Sequence, residues 1–299
     1  MAKTLKVVFF GTSNFAVPAL KLLIESGYNI PAVFTGLGPV NVFAQEHGIK
    51  IFQPVSLKKE EQVYEEFKDL KPDICIIAAY GKIIPQKFLD IPRYGFLNIH
   101  PSLLPKYRGP SPIQTAILNG DPAPILSADH HSEKGRDWCG AGTETGVTIM
   151  LVDEQVDHGP ILAQKTYNLR PDVYYKEAEM ELAEIGAKLL TETIPEYISG
   201  KIKPKEQNHS QATFTKMFSR DAGRINWSES AGKIYDRIRA LNPEPGTWTT
   251  WNGKIINIKK AELRDGKINI QTIQMEGKRE MSFEEFLHGH PDFDISQLN

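Results

Sequence analysis

The sequence predicts an α/β fold, a doubly wound and mostly parallel sheet, followed by a small antiparallel β-barrel. Three observations carry that expectation. Short apolar runs alternate with longer amphipathic ones through the first half of the chain. Those apolar runs are continuous rather than alternating with polar residues. Past residue 212 the pattern becomes short strand-like runs punctuated by Asn252-Gly253 and Asp265-Gly266. Continuous apolar strands need both sheet faces covered, the condition met when helices connect parallel strands. Asn-Gly and Asp-Gly are hairpin signals, because both residues tolerate the positive φ that tight turns demand.

Taken in order, strands are expected at residues 6–10, 32–35, 50–52, 74–79 and 95–99, with helices at 16–25, 40–46, 61–70, 85–89 and 112–119. A strand at 145–152, a turn at Asp157 and a strand at 161–167 follow. A helix over 174–198 then closes the domain, since Met180, Leu182, Ala183, Ile185, Ala187, Leu189, Leu190 and Ile194 form a helical stripe. Ser199-Gly200 stops it, and the polar stretch 201–211 with Pro204 reads as a linker. Residues 212–299 offer one helix (230–241) and strand-like runs at 248–251, 255–259, 267–275 and 283–287. The expected domains are therefore 1–200 and 212–299.

Apolar residues make up 40% of the 299 and charged residues 24%, the balance of an ordinary soluble protein. Apolar runs such as 74–80 are too short to cross a bilayer. No charged-then-apolar leader precedes the strand at 6–10, so a cytoplasmic location without membrane association is expected. Two cysteines, Cys75 and Cys139, make no disulfide framework. Cys75 lies inside an apolar strand and is expected to pack there. Residues 1–200 carry 19 basic and 24 acidic side chains, residues 201–279 carry 16 and 8, and the last twenty carry five acids and no base. A basic segment between acidic ones suits a polyanion such as RNA. A solvated surface would read the same way.

The chemistry concentrates at residues 97–109, Leu-Asn-Ile-His-Pro-Ser-Leu-Leu-Pro-Lys-Tyr-Arg-Gly. Asn98 and His100 stand two apart at a strand end and so share a face. The carboxyl ends of parallel strands are where such sheets bind ligands. An amide donor beside an imidazole suits acyl transfer: the amide can stabilise an oxyanion while the ring moves a proton. Read alone, the pair could equally be two polar residues capping a turn.

Asn-x-His followed by Ser-Leu-Leu-Pro, with Asp157-His158-Gly159 downstream, resembles the signature of the folate-dependent formyltransferases. Within them the chain is most similar to the branch that acts on methionyl-tRNA. Residues 10–12 and 15–18, 110–114, 144–150, 219–227 and 238–243 extend the likeness, in order, over nearly the whole chain. The resemblance implies a formyltransferase-type, Rossmann-like catalytic domain and an OB-like C-terminal domain. It implies 10-formyltetrahydrofolate as formyl donor and initiator methionyl-tRNA as acceptor, with no metal and a monomeric enzyme. Asn98 would donate to the oxyanion and His100 would shuttle protons. Asp157 would hold the imidazole charged and oriented, and could position a water that takes the amine proton. Ser102, Leu103, Leu104 and Pro105 would line the folate site, where a flat pteridine wants apolar walls and a few backbone hydrogen bonds.

Other motifs are weaker. Gly11-Thr12-Ser13-Asn14 is no dinucleotide fingerprint, and Thr12, Ser13 or Asn14 is expected to cap the next helix. Arg108 reads as a surface charge, or as a contact to an anionic group or to the Asp157 turn. Asp129, His130, His131 and Cys139 lack a paired zinc spacing and read as an exposed loop. His47, His209, His288 and His290 sit in polar surroundings and call for no special role.

The chain also departs from the family pattern. The loop after the second strand, 35–41, lacks the lysines and arginines that would grip tRNA phosphates. Residues 122–142 are an insertion, in which Lys134, Arg136 and Trp138 could replace part of that grip. The last domain is short by about a hairpin before Asp265-Gly266, which threatens to expose a sheet edge. A nucleotide-linked amino-sugar N-formyltransferase using the same three residues therefore stays open, as does a non-catalytic folate- or RNA-binding paralogue.

Overall fold

A computed structural model describes residues 5–120 and 143–295. The insertion, with Asp129, His130, His131, Lys134, Arg136, Trp138 and Cys139, lies outside the described residues.

The chain divides into two compact units, one holding the described residues up to Pro112 with Thr145–Tyr167 and Glu179–Thr215, the other holding the described residues of Ile113–Glu144 with Asn168–Ala178 and those from Lys216 onward. Eight α-helices and eleven strands are assigned among the described residues. In order they are β1 (Val7–Gly11), α1 (Val17–Glu25), β2 (Ala32–Phe34), α2 (Pro39–Glu46), β3 (Lys50–Phe52), α3 (Glu61–Leu70), β4 (Ile74–Ala78), α4 (Gln86–Leu89), β5 (Phe96–His100), α5 (Pro112–Asn119), β6 (Thr143–Leu151), β7 (Ile161–Leu169), α6 (Tyr175–Ile198), α7 (Ala231–Leu241), β8 (Thr247–Trp251), β9 (Lys254–Arg264), β10 (Lys267–Met275), β11 (Glu280–Ser282) and α8 (Phe283–Gly289).

The first unit is built on a seven-stranded sheet of order β3-β2-β1-β4-β5-β6-β7. Its first five strands run parallel, as the continuous apolar runs require, and β6 returns antiparallel beside β5. Every residue of β1 is buried, which only a sheet covered on both faces allows. The register sets Phe10 opposite Phe34 and Phe34 opposite Phe52. Their rings stack at 4.4 and 4.6 Å, and Phe67, Phe88 and Phe96 complete the aromatic core. Cys75 is fully buried in β4, where burial pushes its thiol pKa up. It packs, as expected. This core fixes β4 and β5, and with them the strand end that carries the polar pair.

The second unit is a four-stranded antiparallel sheet of order β11-β10-β9-β8, with α7 packed on β9 and β10, and α8 on β10. Both expected hairpin turns form. Asn252-Gly253 and Asp265-Gly266 adopt positive φ at each residue (49° and 72° at the first, 50° and 69° at the second). One expectation fails: residues 283–287 are not a strand but the start of α8. Ser282 caps that helix, its hydroxyl accepting from Glu285 N at 3.0 Å, and Phe286 is buried one turn after Phe283. A Ser-x-x-Glu start and an i, i+3 apolar pair outweigh the local aromatic content.

The short last domain deals with its sheet edge by a side chain. β8 pairs with β9 only from Thr247↔Ile258 to Trp251↔Lys254, so β9 outruns it. Beyond that point the Tyr174 hydroxyl donates to Ala261 O at 2.9 Å and accepts from Ala261 N at 3.0 Å. Burial pushes the phenol's pKa up to about 12, so it stays neutral. Tyr174→Phe leaves a backbone donor and acceptor without partners and is expected to cost about 1–3 kcal/mol, measured as a lower denaturation midpoint at unchanged slope. Wild-type stability would show that solvent replaces the phenol.

Candidate active site

β5 delivers Asn98 and His100 to one face at its carboxyl end, as the two-residue spacing dictates. His100 is 4% exposed. Its Nε2 lies 2.9 Å from Tyr107 O. A carbonyl only accepts, so Nε2 carries the proton and Nδ1 is the nitrogen turned toward Asp157, 3.5 Å from Oδ2. A proton on Nδ1 would bridge that gap. Asn98 Nδ2 donates to Asp157 Oδ1 at 3.3 Å. An amide nitrogen has two hydrogens, so one remains for an incoming oxygen.

Asp157 reaches both from the bend between β6 and β7. It sits at φ 49°, in the left-handed region that aspartate tolerates better than most residues. Several bonds hold it. Gly109 N donates to Oδ2 at 2.7 Å, and Gln207 Nε2 donates to the Asp157 and Gly159 carbonyls at 2.9 and 2.7 Å. The bend is also pressed against β6: Leu151 N donates to Pro160 O at 2.9 Å, and a Cβ placed on Gly159 would stand 2.1 Å from Leu151 O. Gly159→Ala must therefore displace the bend that aims Asp157. A misplacement of about 1 Å can cost about 100-fold in rate, so turnover should fall by that order while the protein still binds tetrahydrofolate. Unchanged turnover would separate the bend from the chemistry.

The three expected transfer residues thus meet. The four residues expected to line the folate site divide into two kinds. Leu103 and Pro105 are partly exposed, whereas Ser102 and Leu104 are buried. Ser102 Oγ donates to Lys106 O at 2.6 Å, and Thr148 Oγ1 donates to Ser102 O at 2.6 Å. Leu104 N donates to Thr148 Oγ1 at 3.1 Å, and Gln164 Nε2 donates to Leu104 O at 2.9 Å. The Leu104 amide is spent on the turn itself, so Thr148 and Gln164, which sequence reading passed over, build that turn.

Other expectations change. Neither Thr12, Ser13 nor Asn14 caps the next helix with its side chain. The Thr12 hydroxyl instead accepts from Gly36 N at 3.3 Å, joining the first and second strand–helix turns. Arg108 is not a surface charge, being 3% exposed. It donates to Gln207 Oε1 through Nε at 3.2 Å and through a terminal nitrogen at 2.7 Å, so it meets the Asp157 bend through that amide. The same terminal nitrogen lies 2.9 Å from His209 Nδ1. Guanidinium cannot accept, so His209 Nδ1 does, and this histidine has a partner after all. Its ring stacks on His158 at 4.0 Å, and His158 Nδ1 lies 2.7 Å from Asp153 Oδ2.

The chain is similar to known proteins. The family model described as formyl transferase matches residues 36–194, and the one described as formyl transferase, C-terminal domain, matches residues 217–267. A methionyl-tRNA formyltransferase of Caldanaerobacter subterraneus subsp. tengcongensis is 34% identical over 321 residues, covering 96% of this chain and 97% of that one. Among solved structures, a methionyl-tRNA formyltransferase from Clostridium thermocellum superposes with TM-score 0.60 at 20% identity, over 91% of this chain and 98% of that one. An N-formyltransferase from Helicobacter canadensis, in complex with folinic acid and dTDP-3-aminofucose, does so with TM-score 0.66 at 19% identity, over 93% and 99%. Likeness at that level of identity speaks to fold. The sequence match extends over both parts of the molecule and includes the strand and bend that carry the polar trio, and on that ground the chain belongs to the formyl transferase family.

Proposed function

We propose that this chain transfers the formyl group of 10-formyltetrahydrofolate to the α-amine of initiator methionyl-tRNA. The observation that carries the reading is the convergence of Asn98, His100 and Asp157, with one amide hydrogen of Asn98 and Nδ1 of His100 left for chemistry. The relatives named methionyl-tRNA formyltransferase support the acceptor. The amine nitrogen attacks the formyl carbon, giving a tetrahedral oxyanion. Asn98 donates to that oxygen, and His100 shuttles protons through Nδ1, the nitrogen turned toward Asp157. Asp157 orients the ring and accepts the amine proton, directly or through a water. The carbon–N10 bond then breaks and N10 takes up a proton, so the balance is one N–C bond made, one broken and one proton moved. Leu103 and Pro105 face the pterin side, while Ser102 and Leu104 shape the turn that presents them. The enzyme works as a monomer in the cytoplasm and needs no metal.

One observation favours a smaller acceptor. The turn after β2 is short and carries no base: Gly36-Leu37-Gly38 runs straight into α2, and a Cβ on Gly38 would stand 2.8 Å from Thr12 O. A nucleotide-linked amino sugar would suffice for such a site. The basic residues of 201–279 argue for the polyanion. Purified protein given 10-formyltetrahydrofolate labelled in the formyl group decides between them. Label on methionyl-tRNA is the expected result. Label only on nucleotide amino sugars would replace the acceptor, and label on neither would leave a binding paralogue.

A further inference from the structure

We infer that Gln207 is the positioning residue of the transfer centre, oriented by Arg108; this rests on the proposed role of Asp157. Gln207 lies in the polar stretch that joins the two parts of the sequence pattern, yet it is 5% exposed and all its polar capacity is directed. Its Nε2 spends both hydrogens on the carbonyls that flank the Asp157 bend, at 2.9 and 2.7 Å. Its Oε1 accepts both Arg108 donors. A flipped amide would turn its NH2 toward the guanidinium and its oxygen toward two carbonyls. Arg108 therefore fixes which end of Gln207 faces the bend.

Arg108 itself is placed by the same stretch of chain. Arg108 N donates to Thr213 O at 2.9 Å, and Thr215 N donates to Arg108 O at 2.7 Å. Tyr107 N donates to Thr213 Oγ1 at 2.8 Å and Ser111 N to Thr215 Oγ1 at 3.1 Å. Lys205 and Ile161 exchange backbone bonds at 2.9 and 2.8 Å. The stretch 205–215 is thus a strap laid on the first unit. It clamps three consecutive residues that each hold one member of the network: Tyr107 O holds His100, Arg108 holds Gln207, and Gly109 N holds Asp157. Arg108 has no carboxylate bonded to it among the described residues.

Three variants test this in the full chain. Gln207→Glu keeps the volume and the Arg108 contacts but aims an acceptor at two carbonyls. Gln207→Met removes the polar ends altogether. Both are expected to lower kcat by about 100-fold, the cost of roughly an ångström of misplacement, with the KM for 10-formyltetrahydrofolate and the affinity for tetrahydrofolate unchanged. In an Asp157→Asn background the Gln207→Met change should add little further loss, because its effect runs through that bend. Wild-type kcat for Gln207→Glu with only a lowered unfolding temperature would overturn the inference, since that is the signature of a purely structural residue. So would losses that multiply in the double variant. If instead Asp157→Asn alone keeps full activity, the proposed transfer centre falls, and Gln207 with it by a separate route.

Discussion

Asp157→Asn is expected to lower the formyl-transfer rate by about 100- to 10,000-fold, the usual range for losing a general acid–base group, with donor affinity retained. The substitution removes a charge and also breaks the pattern of bonds around it. Both carboxylate oxygens accept: Oδ2 from Gly109 N at 2.7 Å and Oδ1 from Asn98 Nδ2 at 3.3 Å, with His100 Nδ1 at 3.5 Å from Oδ2. A carboxamide has one oxygen. Whichever way it turns, its NH2 faces another donor, either the Gly109 amide or the Asn98 amide. Losing a hydrogen bond to a charged group costs about 1.5–3 kcal/mol, so the bend should loosen as well. Single-turnover rates with saturating donor and acceptor separate the chemical loss from any weaker binding. Near-normal turnover would remove the carboxylate from the mechanism.

Asn98→Ala carries the second large expectation, a fall in kcat of about 100- to 1000-fold, as for removal of one oxyanion donor. The free N–H of Asn98 is aimed from a β5 position pinned on both sides, opposite Ile77 on β4 and Met150 on β6. Such a donor needs no reorganisation when charge develops. The loss should fall on kcat rather than KM, because the ground-state carbonyl gains less from it than the oxyanion does. A rise in KM at unchanged kcat would make Asn98 a binding residue instead.

The parallel half of the fold was legible because its strands are buried on both faces, which writes itself as runs such as Val7-Val8-Phe9-Phe10 and Ile74-Cys75-Ile76-Ile77. Asn98 and His100 were legible for a local reason too, since the two-residue period puts them side by side on any strand. Asp157 is 59 residues from Asn98, and only the resemblance pointed to it. Gln207 was illegible. Its partners lie 48 to 99 residues away, and its own neighbours are polar, so neither period nor composition marks it. Failures elsewhere have the same origin. Thr12 looked like a helix cap because its competing partner, Gly36 N, is supplied by another turn. Tyr174, which satisfies the free end of β9, sits 87 residues from it. At α8 the signal was present in Ser282-x-x-Glu285, and the two nearby phenylalanines masked it.

The central claim is that the ring on the β5 end takes part in the transfer itself. His100→Ala tests it most directly, with formyl transfer measured in a single turnover and tetrahydrofolate binding measured on the same preparation. The expected result is transfer slowed by about 100- to 10,000-fold while tetrahydrofolate binds as tightly as to the unaltered chain. Transfer at the unaltered rate, with the imidazole gone, would contradict it.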